Sequence, residues 1–250
     1  MPQCQEGTRL ISTIATRLIY TLVLACAPFG LSRAEAPKDF SAIYAAKIHG
    51  FEVKATRELK TLANGTQKLS FKATSWLANI EESSEFDWSE QAQLVPSSYQ
   101  YHRTGLGKDR HADLSFDWQN KIVTNDVQNN PWEMSIPDRV LDKLSYQVQL
   151  RSDLINQRPV LSYQVADGGR LKTYHFEIMG EEVLNTPLGQ FHTVKVKRTR
   201  STRKKRETYL WLAKDWDYLL VRLQQIEKGG KRYEINLAQA ELAGETVKGF

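Results

Sequence analysis

The sequence predicts a mainly β protein, a curved antiparallel meander whose half-barrel or barrel-like sheet holds about a dozen strands. Strand-like runs of β-branched and aromatic residues follow one another along the chain. Short turn signals separate them, among them Asn64-Gly65 and Gly229-Gly230. One amphipathic segment near residues 136–154 departs from this pattern, because its apolar residues recur at helical spacing. Since a sheet of many strands twists, we expect it to curl and to hold this helix on its inner face.

The strands predicted before the helix follow one another with short connections, and such strands pair antiparallel. Asn64-Gly65 is the strongest turn signal among them, because both residues tolerate positive φ. The polar residues 127–132 are predicted to lead into the helix without forming a strand. The predicted strands are residues 40–48, 51–62, 67–77, 80–88, 94–103, 110–118 and 122–126.

The helix near residues 136–154 shows an N-terminal signal of its own. Ser135 and Asp138 match a capping box, and Pro137 is tolerated in a first turn because its missing N–H has no intrahelical partner. The apolar stripe consists of Val140, Leu141, Leu144, Val148 and Ile155. The polar residues expected to face away from it are Asp142, Lys143, Gln149 and Asp153.

This helix has two interpretations. As a plug, it buries its stripe in a filled core, as most amphipathic helices do. As a lid, it covers an apolar cavity, and the candidate lid residues for an apolar ligand are then Leu141, Leu144 and Val148.

The β pattern resumes after the helix, with strands predicted at residues 159–166, 170–179, 191–200, 206–213, 218–228 and 232–242. Valine and lysine alternate over residues 194–197, which predicts one inward face and one solvated face. In contrast, residues 208–212 and 218–221 are apolar on both faces. These two strands need cover on their second face from more sheet, a partner or the helix.

The N-terminal 36 residues are predicted to be a signal peptide, which leaves residues 37–250 as a single β-rich domain. Arg9 and Arg17 precede a short apolar run over residues 18–27. This run is too short to span a bilayer as a helix, and it fits the hydrophobic region of a secretory signal. No other segment is long and apolar enough to cross a membrane as a helix, so the mature protein is predicted to be periplasmic.

Two details of the N-terminus stay open. Ala34 and Ala36 are rival cleavage sites. Residues 23–26 also resemble a lipobox, so the alternative is a protein that is lipid-anchored through Cys26. Both cysteines, Cys4 and Cys26, lie in this segment. If this segment is removed, the mature chain has no cysteine, which excludes disulfides, thiolate catalysis and cysteine–metal sites.

The motifs of common catalytic and cofactor sites do not occur in the sequence. The histidines are not spaced as a helical zinc pair, and P-loop and dinucleotide-binding glycine patterns are missing. We therefore predict no cofactor, no metal and no catalytic residue, and we lean towards a protein that is not an enzyme. The sequence leaves the oligomeric state open.

A basic segment spans a predicted turn, with eight basic residues and no acidic residue over residues 195–206. Nucleic acid is not expected as a partner of an exported protein. The candidate contacts for anionic lipid are Arg203, Lys204, Lys205 and Arg206. A solvated turn that binds nothing is the alternative.

Three stretches of the chain carry a resemblance to a known family. They are Asp142-Lys143-Leu144-Ser145 with Leu150-Arg151, residues 180–191 with the following Val194-Lys195-Val196, and Leu210-Trp211-Leu212-Ala213. Over residues 40–242 the chain resembles the bacterial exported domain of unknown function 3108 family. The resemblance implies an exported protein of Gram-negative bacteria with a β-rich fold, and it implies no reaction.

Thr186-Pro187-Leu188-Gly189 is the most specific part of this resemblance. Pro187 and Gly189 predict a tight turn between two strands. The hydroxyl of Thr186 is placed to bond the backbone of the same turn.

The sequence thus favours a non-catalytic envelope protein that binds a lipid or another apolar envelope component. An envelope hydrolase or a carbohydrate-binding protein that uses acidic and aromatic residues is the first alternative. A structural or interaction module is the second. An apolar cavity beneath the helix would favour the first hypothesis, and two carboxylates that converge in an aromatic cleft would favour hydrolysis.

Overall fold

The structure, a computed structural model, describes residues 35–48, 51–75, 78–105, 107–199 and 206–250. The predicted signal peptide and lipobox therefore lie outside the described residues, apart from Glu35 and Ala36. Up to the helix, the strands are β1 (Phe40–Ile48), β2 (Phe51–Thr61), β3 (Gln67–Thr74), β4 (Ala78–Trp88), β5 (Leu94–Gly105), β6 (Arg110–Asp117), β7 (Ile122–Val127), β8 (Pro131–Ser135) and β9 (Val140–Leu141). Helix α1 (Ser145–Ile155) follows. The remaining strands are β10 (Ser162–Ala166), β11 (Leu171–Thr186), β12 (Gly189–Thr199), β13 (Glu207–Ala213), β14 (Leu219–Ile226), β15 (Arg232–Leu242) and β16 (Glu245–Thr246).

All of these strands belong to one sheet, in the order β8-β7-β6-β5-β4-β3-β2-β1-β15-β14-β13-β12-β11-β10-β9, with β16 paired to β15. The antiparallel meander predicted from the sequence is confirmed, and the described strands number 16 where about a dozen were predicted. Two runs of sequential hairpins meet at β1, which pairs with β2 on one side and with β15 on the other. One ladder departs from the antiparallel rule, since β9 pairs parallel with β10.

Helix α1 connects β9 and β10, the two strands at one end of the sheet. Strand β8 forms the opposite end, and the chain passes from β8 to β9 through residues 136–139, before the helix begins. A parallel pair such as β9 and β10 also needs a crossover connection, which is usually a helix. A β meander therefore contains a helix here because β9 and β10 are parallel neighbours and need such a connection.

The helix begins later than the sequence predicts. The expected capping box at Ser135 and Asp138 is wrong, because Ser135 ends β8 and Asp138 is exposed, with its carboxylate near Lys121. Asp142 and Ser145 supply the same chemistry seven residues later. The Asp142 carboxylate accepts the N–H groups of Leu144 (2.7 Å) and Ser145 (2.9 Å), and the Ser145 hydroxyl accepts the N–H of Asp142 (2.8 Å).

Two polar side chains that were expected to face solvent are buried instead. Asp142 is 0% exposed and Gln149 is 2% exposed. The Gln149 amide accepts the N–H of Leu94 (2.7 Å) and donates to the carbonyl of Ala92 (3.1 Å), both in or beside the hairpin of β4 and β5. The helix crosses the interior of the curve, so its polar side needs partners from the sheet in place of water.

Strand boundaries differ from the prediction mainly around the crossing. The expectation that residues 127–132 form no strand is wrong, because Pro131–Ser135 pairs with β7. Strand β11 does not end near residue 179 but continues to Thr186 past a bulge between Ile178 and Gly180. The predicted turns at Asn64-Gly65 and Gly229-Gly230 do join neighbouring antiparallel strands.

The core fills the inside of the curve and includes side chains from both halves of the sheet and from the crossing segment. Its most buried members include Leu59, Leu69, Phe86, Leu94, Leu141, Val148, Val196 and Leu237. On the outer face, Trp211 of β13 is covered by the ammonium of Lys195 (4.7 Å from the ring centre) and the guanidinium of Arg222 (5.9 Å). Cationic side chains thus cover a face for which a second sheet, a partner or the helix was expected.

Candidate functional site

A cavity of about 430 Å³ lies between the start of helix α1 and the concave face of the sheet, and it is partly open to solvent. Most of its wall is apolar or aromatic: Tyr44, Ala46, Val53, Ala55, Phe71, Ala73, Ile80, Leu144, Tyr146, Tyr174, Leu220, Leu223 and Ile235. Its polar members are Arg57, Glu82, Lys143, Gln147 and Arg198. A hollow of this volume and lining has the features of a small-molecule site.

Three alanines on neighbouring strands leave the cavity unfilled, because their side chains are small. Ala46 lies on β1, Ala55 on β2 and Ala73 on β3, and all three point to the cavity. Ala55 and Ala73 stand directly opposite each other in the β2–β3 ladder. Directly opposite residues share a face of the sheet, so larger side chains at these positions would fill the cavity.

The cap on helix α1 positions the helical part of the wall. The Ser84 hydroxyl of β4 donates to the Asp142 carboxylate at 2.6 Å, while that carboxylate also holds the first N–H groups of the helix. Burial raises the pKa of Asp142, although these hydrogen bonds favour its charged form. The Asp142–Ser84 contact ties the helix start to the sheet, and Leu144 and Tyr146 next to it face the cavity.

Tyr146 joins the helix to strand β11 through aromatic contacts. Its ring meets Tyr174 edge-on at 5.1 Å between centres and stacks near Phe176 at 6.0 Å. Desolvation raises the pKa of Tyr146, and the positive charges of the nearby Arg198 and Arg57 lower it by a smaller amount. The Tyr146 phenol stays neutral at physiological pH and gives the cavity an aromatic wall.

Two arginines bring positive charge to this wall. Arg57 projects from β2 and Arg198 from β12, and the Nε atom of each is buried with no hydrogen-bond partner. The Arg198 guanidinium lies over the Tyr174 ring, 3.5 Å from its centre.

The carboxylate of Glu82 in the same wall is engaged elsewhere. It accepts the Tyr99 hydroxyl at 2.8 Å and lies 4.0 Å from the ammonium of Lys143. Burial, followed by the charge of Glu82, raises the pKa of Tyr99, so Tyr99 remains a hydrogen-bond donor. The two arginines therefore do not share the one carboxylate of the wall.

The candidate lid residues occupy two different environments. Leu141 (0% exposed), Leu144 (3%) and Val148 (1%) are all buried. Leu144 borders the cavity, whereas Leu141 and Val148 belong to the surrounding core. The lid role itself remains a prediction.

Most of the candidate anionic-lipid contacts lie outside the residues that the structure describes. Arg203, Lys204 and Lys205 are outside the described residues. Arg206 is exposed and its Nε lies 2.6 Å from a carboxylate oxygen of Glu227, just before β13. This contact with anionic lipid also remains a prediction.

Arg57 and Arg198 were not predicted as site residues from the sequence, although their positions in the strands carry a signal. Arg57 falls in phase with the inward residues Ala55 and Leu59, and Arg198 continues the inward series begun by Val194 and Val196. A charged residue at an inward position of an alternating strand is unusual, because burying a charge is costly unless it finds a partner. The strand pattern therefore marks both arginines as functional candidates.

A curved sheet that wraps an apolar cavity and is crossed by one helix places this chain among barrel-like β proteins. The chain belongs to the DUF3108 family, described as "Protein of unknown function (DUF3108)", whose model matches residues 44–236. This membership confirms the resemblance noted in the sequence. No curated protein matches the sequence significantly.

One solved structure supports the fold. The chain is similar to a beta-barrel-like protein of the domain of unknown function DUF1849 from Brucella abortus, with a TM-score of 0.56 and 8% identity. That match covers 83% of this chain and 99% of the other, and at such identity it shows the fold alone. The MucA/MucB complex of Pseudomonas aeruginosa matches with a TM-score of 0.35 and 11% identity, over 86% of this chain and 55% of the other.

Membrane-spanning helices and metal-binding clusters are both absent from the described part of the chain. No helix there is long and apolar enough to cross a membrane. Within the same residues, no three histidine, cysteine, aspartate or glutamate side chains are grouped so as to hold a metal ion.

Proposed function

We propose that this chain is a non-catalytic protein of the bacterial cell envelope that binds an apolar ligand, such as a lipid chain, in the cavity beneath helix α1. The observation that carries the proposal is the cavity itself. Its volume of about 430 Å³ lies within the range of roughly 300–1,000 Å³ that is typical of small-molecule sites. Its wall is mainly apolar, with a few polar and charged side chains.

The envelope location rests on the N-terminal pattern. Basic residues, a short apolar run and small residues near position 36 predict export. Cleavage gives a periplasmic protein, and lipidation of Cys26 gives an anchored one. Either form would meet the lipids of the envelope.

Binding is favoured over hydrolysis by the composition of the wall. Among its described residues, Glu82 is the single carboxylate. Glycoside hydrolysis by the usual route needs two carboxylates on either side of the scissile bond. Glu82 is also bonded to Tyr99, so it is committed to a structural contact.

Filling the cavity tests the proposal. Ala46→Phe places a ring in the wall, and it should weaken binding of the neutral apolar fluorophore N-phenyl-1-naphthylamine at least about tenfold, because the ring occupies the ligand's space. Ala45→Phe is the matched control, since Ala45 is exposed on the opposite face of the same strand. Fluorescence titration measures both affinities. Equal affinities in the two variants, or no binding by the wild type, would count against the proposal.

Native mass spectrometry addresses the natural ligand and the location together. Protein purified from the envelope fraction should carry a lipid-like mass that Ala46→Phe lacks and Ala45→Phe retains. Recovery of the full-length chain from the cytosol alone would contradict the envelope part of the proposal.

A further inference from the structure

The geometry points to a ligand with an anionic end: we propose that the cavity takes a single acyl chain whose terminal carboxylate is held between Arg57 and Arg198. This inference rests on the proposed function, because it names the chemical class of the ligand for the same cavity. It adds an electrostatic requirement that apolar binding alone does not have.

The two arginines reach the cavity from strands that are not neighbours in the sheet. Strand β2 carries Arg57 and strand β12 carries Arg198, and β1, β15, β14 and β13 separate these strands in the sheet. Only the curvature of the sheet brings both side chains to one cavity, with Tyr146 of the helix close to both. Because these two guanidinium groups line the same cavity, we call Arg57 and Arg198 the arginine clamp.

Each clamp residue has a buried donor that the protein leaves unused. The Nε atoms of Arg57 and Arg198 are buried and have no partner. No carboxylate among the described residues forms an ion pair with either side chain, and Glu82 is held by Tyr99 and Lys143. An unsatisfied buried donor on a charged group is costly, so a ligand that accepts hydrogen bonds from both would be strongly favoured.

The net charge of the wall agrees with this assignment. The charged residues that line it are Arg57, Lys143 and Arg198, which are basic, and Glu82, which is acidic. Three cations and one anion leave an excess of positive charge in a largely apolar surrounding. In such surroundings an anion is attracted more strongly than it is in water.

The size of the cavity favours one chain with a small head group. If each non-hydrogen atom takes roughly the 30 Å³ of a liquid water molecule, the volume of 430 Å³ holds about 14 atoms. One acyl chain fits this volume and two do not. A carboxylate is compact and matches the planar fork of a guanidinium.

The test compares dodecanoic acid with dodecanol, which share a chain of the size that the cavity holds and differ in charge. Displacement of N-phenyl-1-naphthylamine gives both affinities. Wild-type protein should bind the acid at least about tenfold more tightly, which is the range expected for a hydrogen bond to a charged group. In the double variant Arg57→Met and Arg198→Met, the affinity for the acid should fall to that for the alcohol. The affinity for the alcohol should stay unchanged.

Arg232→Met is the control for loss of charge, because Arg232 is exposed on β15 away from the cavity wall. It should leave both affinities unchanged. Should the double variant fail to fold, Arg57→Lys with Arg198→Lys keeps the charges and removes the fork, and it should lower the preference for the acid.

The outcomes separate this inference from the proposed function. Equal binding of acid and alcohol by the wild type overturns the carboxylate assignment and leaves apolar binding intact. An acid preference that survives in the double variant overturns the roles of Arg57 and Arg198. Failure of the wild type to bind either ligand overturns both proposals.

Discussion

Asp142 shows at the level of one residue how a buried charge organises this protein. Its carboxylate accepts hydrogen bonds from the Ser84 hydroxyl and from two backbone N–H groups at the helix start. These partners compensate for the loss of water around the charge. Together with Ser145, Asp142 thereby caps the helix that borders the cavity.

Asp142→Ala should lower the free energy of unfolding by about 2 kcal/mol or more, because it removes a helix cap and leaves the buried Ser84 hydroxyl without its acceptor. Urea denaturation at neutral pH measures the change. Asp138→Ala is the matched control. Asp138 was expected to cap the helix, but its carboxylate is exposed, so the change should stay within about 0.5 kcal/mol. Similar losses in the two variants would contradict the assigned cap.

At the level of elements, helix α1 is fixed to the sheet by polar contacts along its whole length. Near its middle Gln149 bonds the backbone of Leu94 and Ala92, and the Nε of Arg151 donates to the carbonyl of Asp217 at 3.0 Å. Towards its end the Asp153 carboxylate accepts the hydroxyl of Tyr163 in β10 at 2.8 Å. These contacts favour a helix that serves as a fixed wall of the cavity.

Two leucines of the predicted stripe should therefore respond differently to truncation. Leu141→Ala creates a hole in packed core and should cost roughly 2–5 kcal/mol of unfolding free energy with unchanged probe affinity. Leu144→Ala enlarges an existing cavity, so it should cost less stability and should change the affinity for N-phenyl-1-naphthylamine. Urea denaturation and fluorescence titration measure the two effects. Unchanged affinity in Leu144→Ala would remove the helix from the binding site.

At the level of the whole molecule, the curvature of the sheet brings its distant parts together. Strand β9 at one end contacts β5 near the other end. Trp132 of the terminal strand β8 packs on Gly169 in the turn between β10 and β11, where an added Cβ would overlap the indole ring. Side-chain packing thus draws together strands that the hydrogen-bonded ladder leaves apart.

Gly169→Ala should destabilise the fold more than Gly168→Ala does. Both glycines have positive φ, but Gly168 has open space where a methyl group would go, so it is the matched control for backbone strain. The additional loss in Gly169→Ala should be about 1 kcal/mol or more, as expected for overpacking against Trp132. Thermal or urea denaturation of both variants measures it. Equal losses of stability in the two variants would show that the Trp132–Gly169 contact does not stabilise the curved sheet.

The parts of the fold that depend on local sequence could be predicted. The β1 and β15 boundaries agree with the predicted strands, and the turn at Thr186-Pro187-Leu188-Gly189 forms as expected. The Thr186 hydroxyl accepts the N–H of Leu188 at 3.1 Å and donates to the carbonyl of Gly189 at 2.9 Å. Alternation along a strand and the conformational freedom of turn residues act over a few neighbouring residues, so they can be read from them directly.

The candidate site could be predicted only in part. Leu144 was predicted as a candidate lid residue, and it lines the cavity. Arg57 and Arg198 were not identified, because 140 positions separate them in the sequence and only the curved sheet places them together. The start of the helix was also misplaced, since Ser135–Asp138 and Asp142–Ser145 offer similar capping chemistry and only the partner Ser84 distinguishes them.

The sequence by itself determined the β class, most strands and turns, and the presence of a helix between two runs of hairpins, because each follows from short-range periodicity. The tertiary structure alone decided the pairing of β1 with β15, the parallel pairing of β9 and β10 that the helix connects, and the cavity with its arginine clamp. These features depend on contacts between residues far apart in the chain. Such contacts are set by the burial of side chains in one shared interior, which no local pattern encodes.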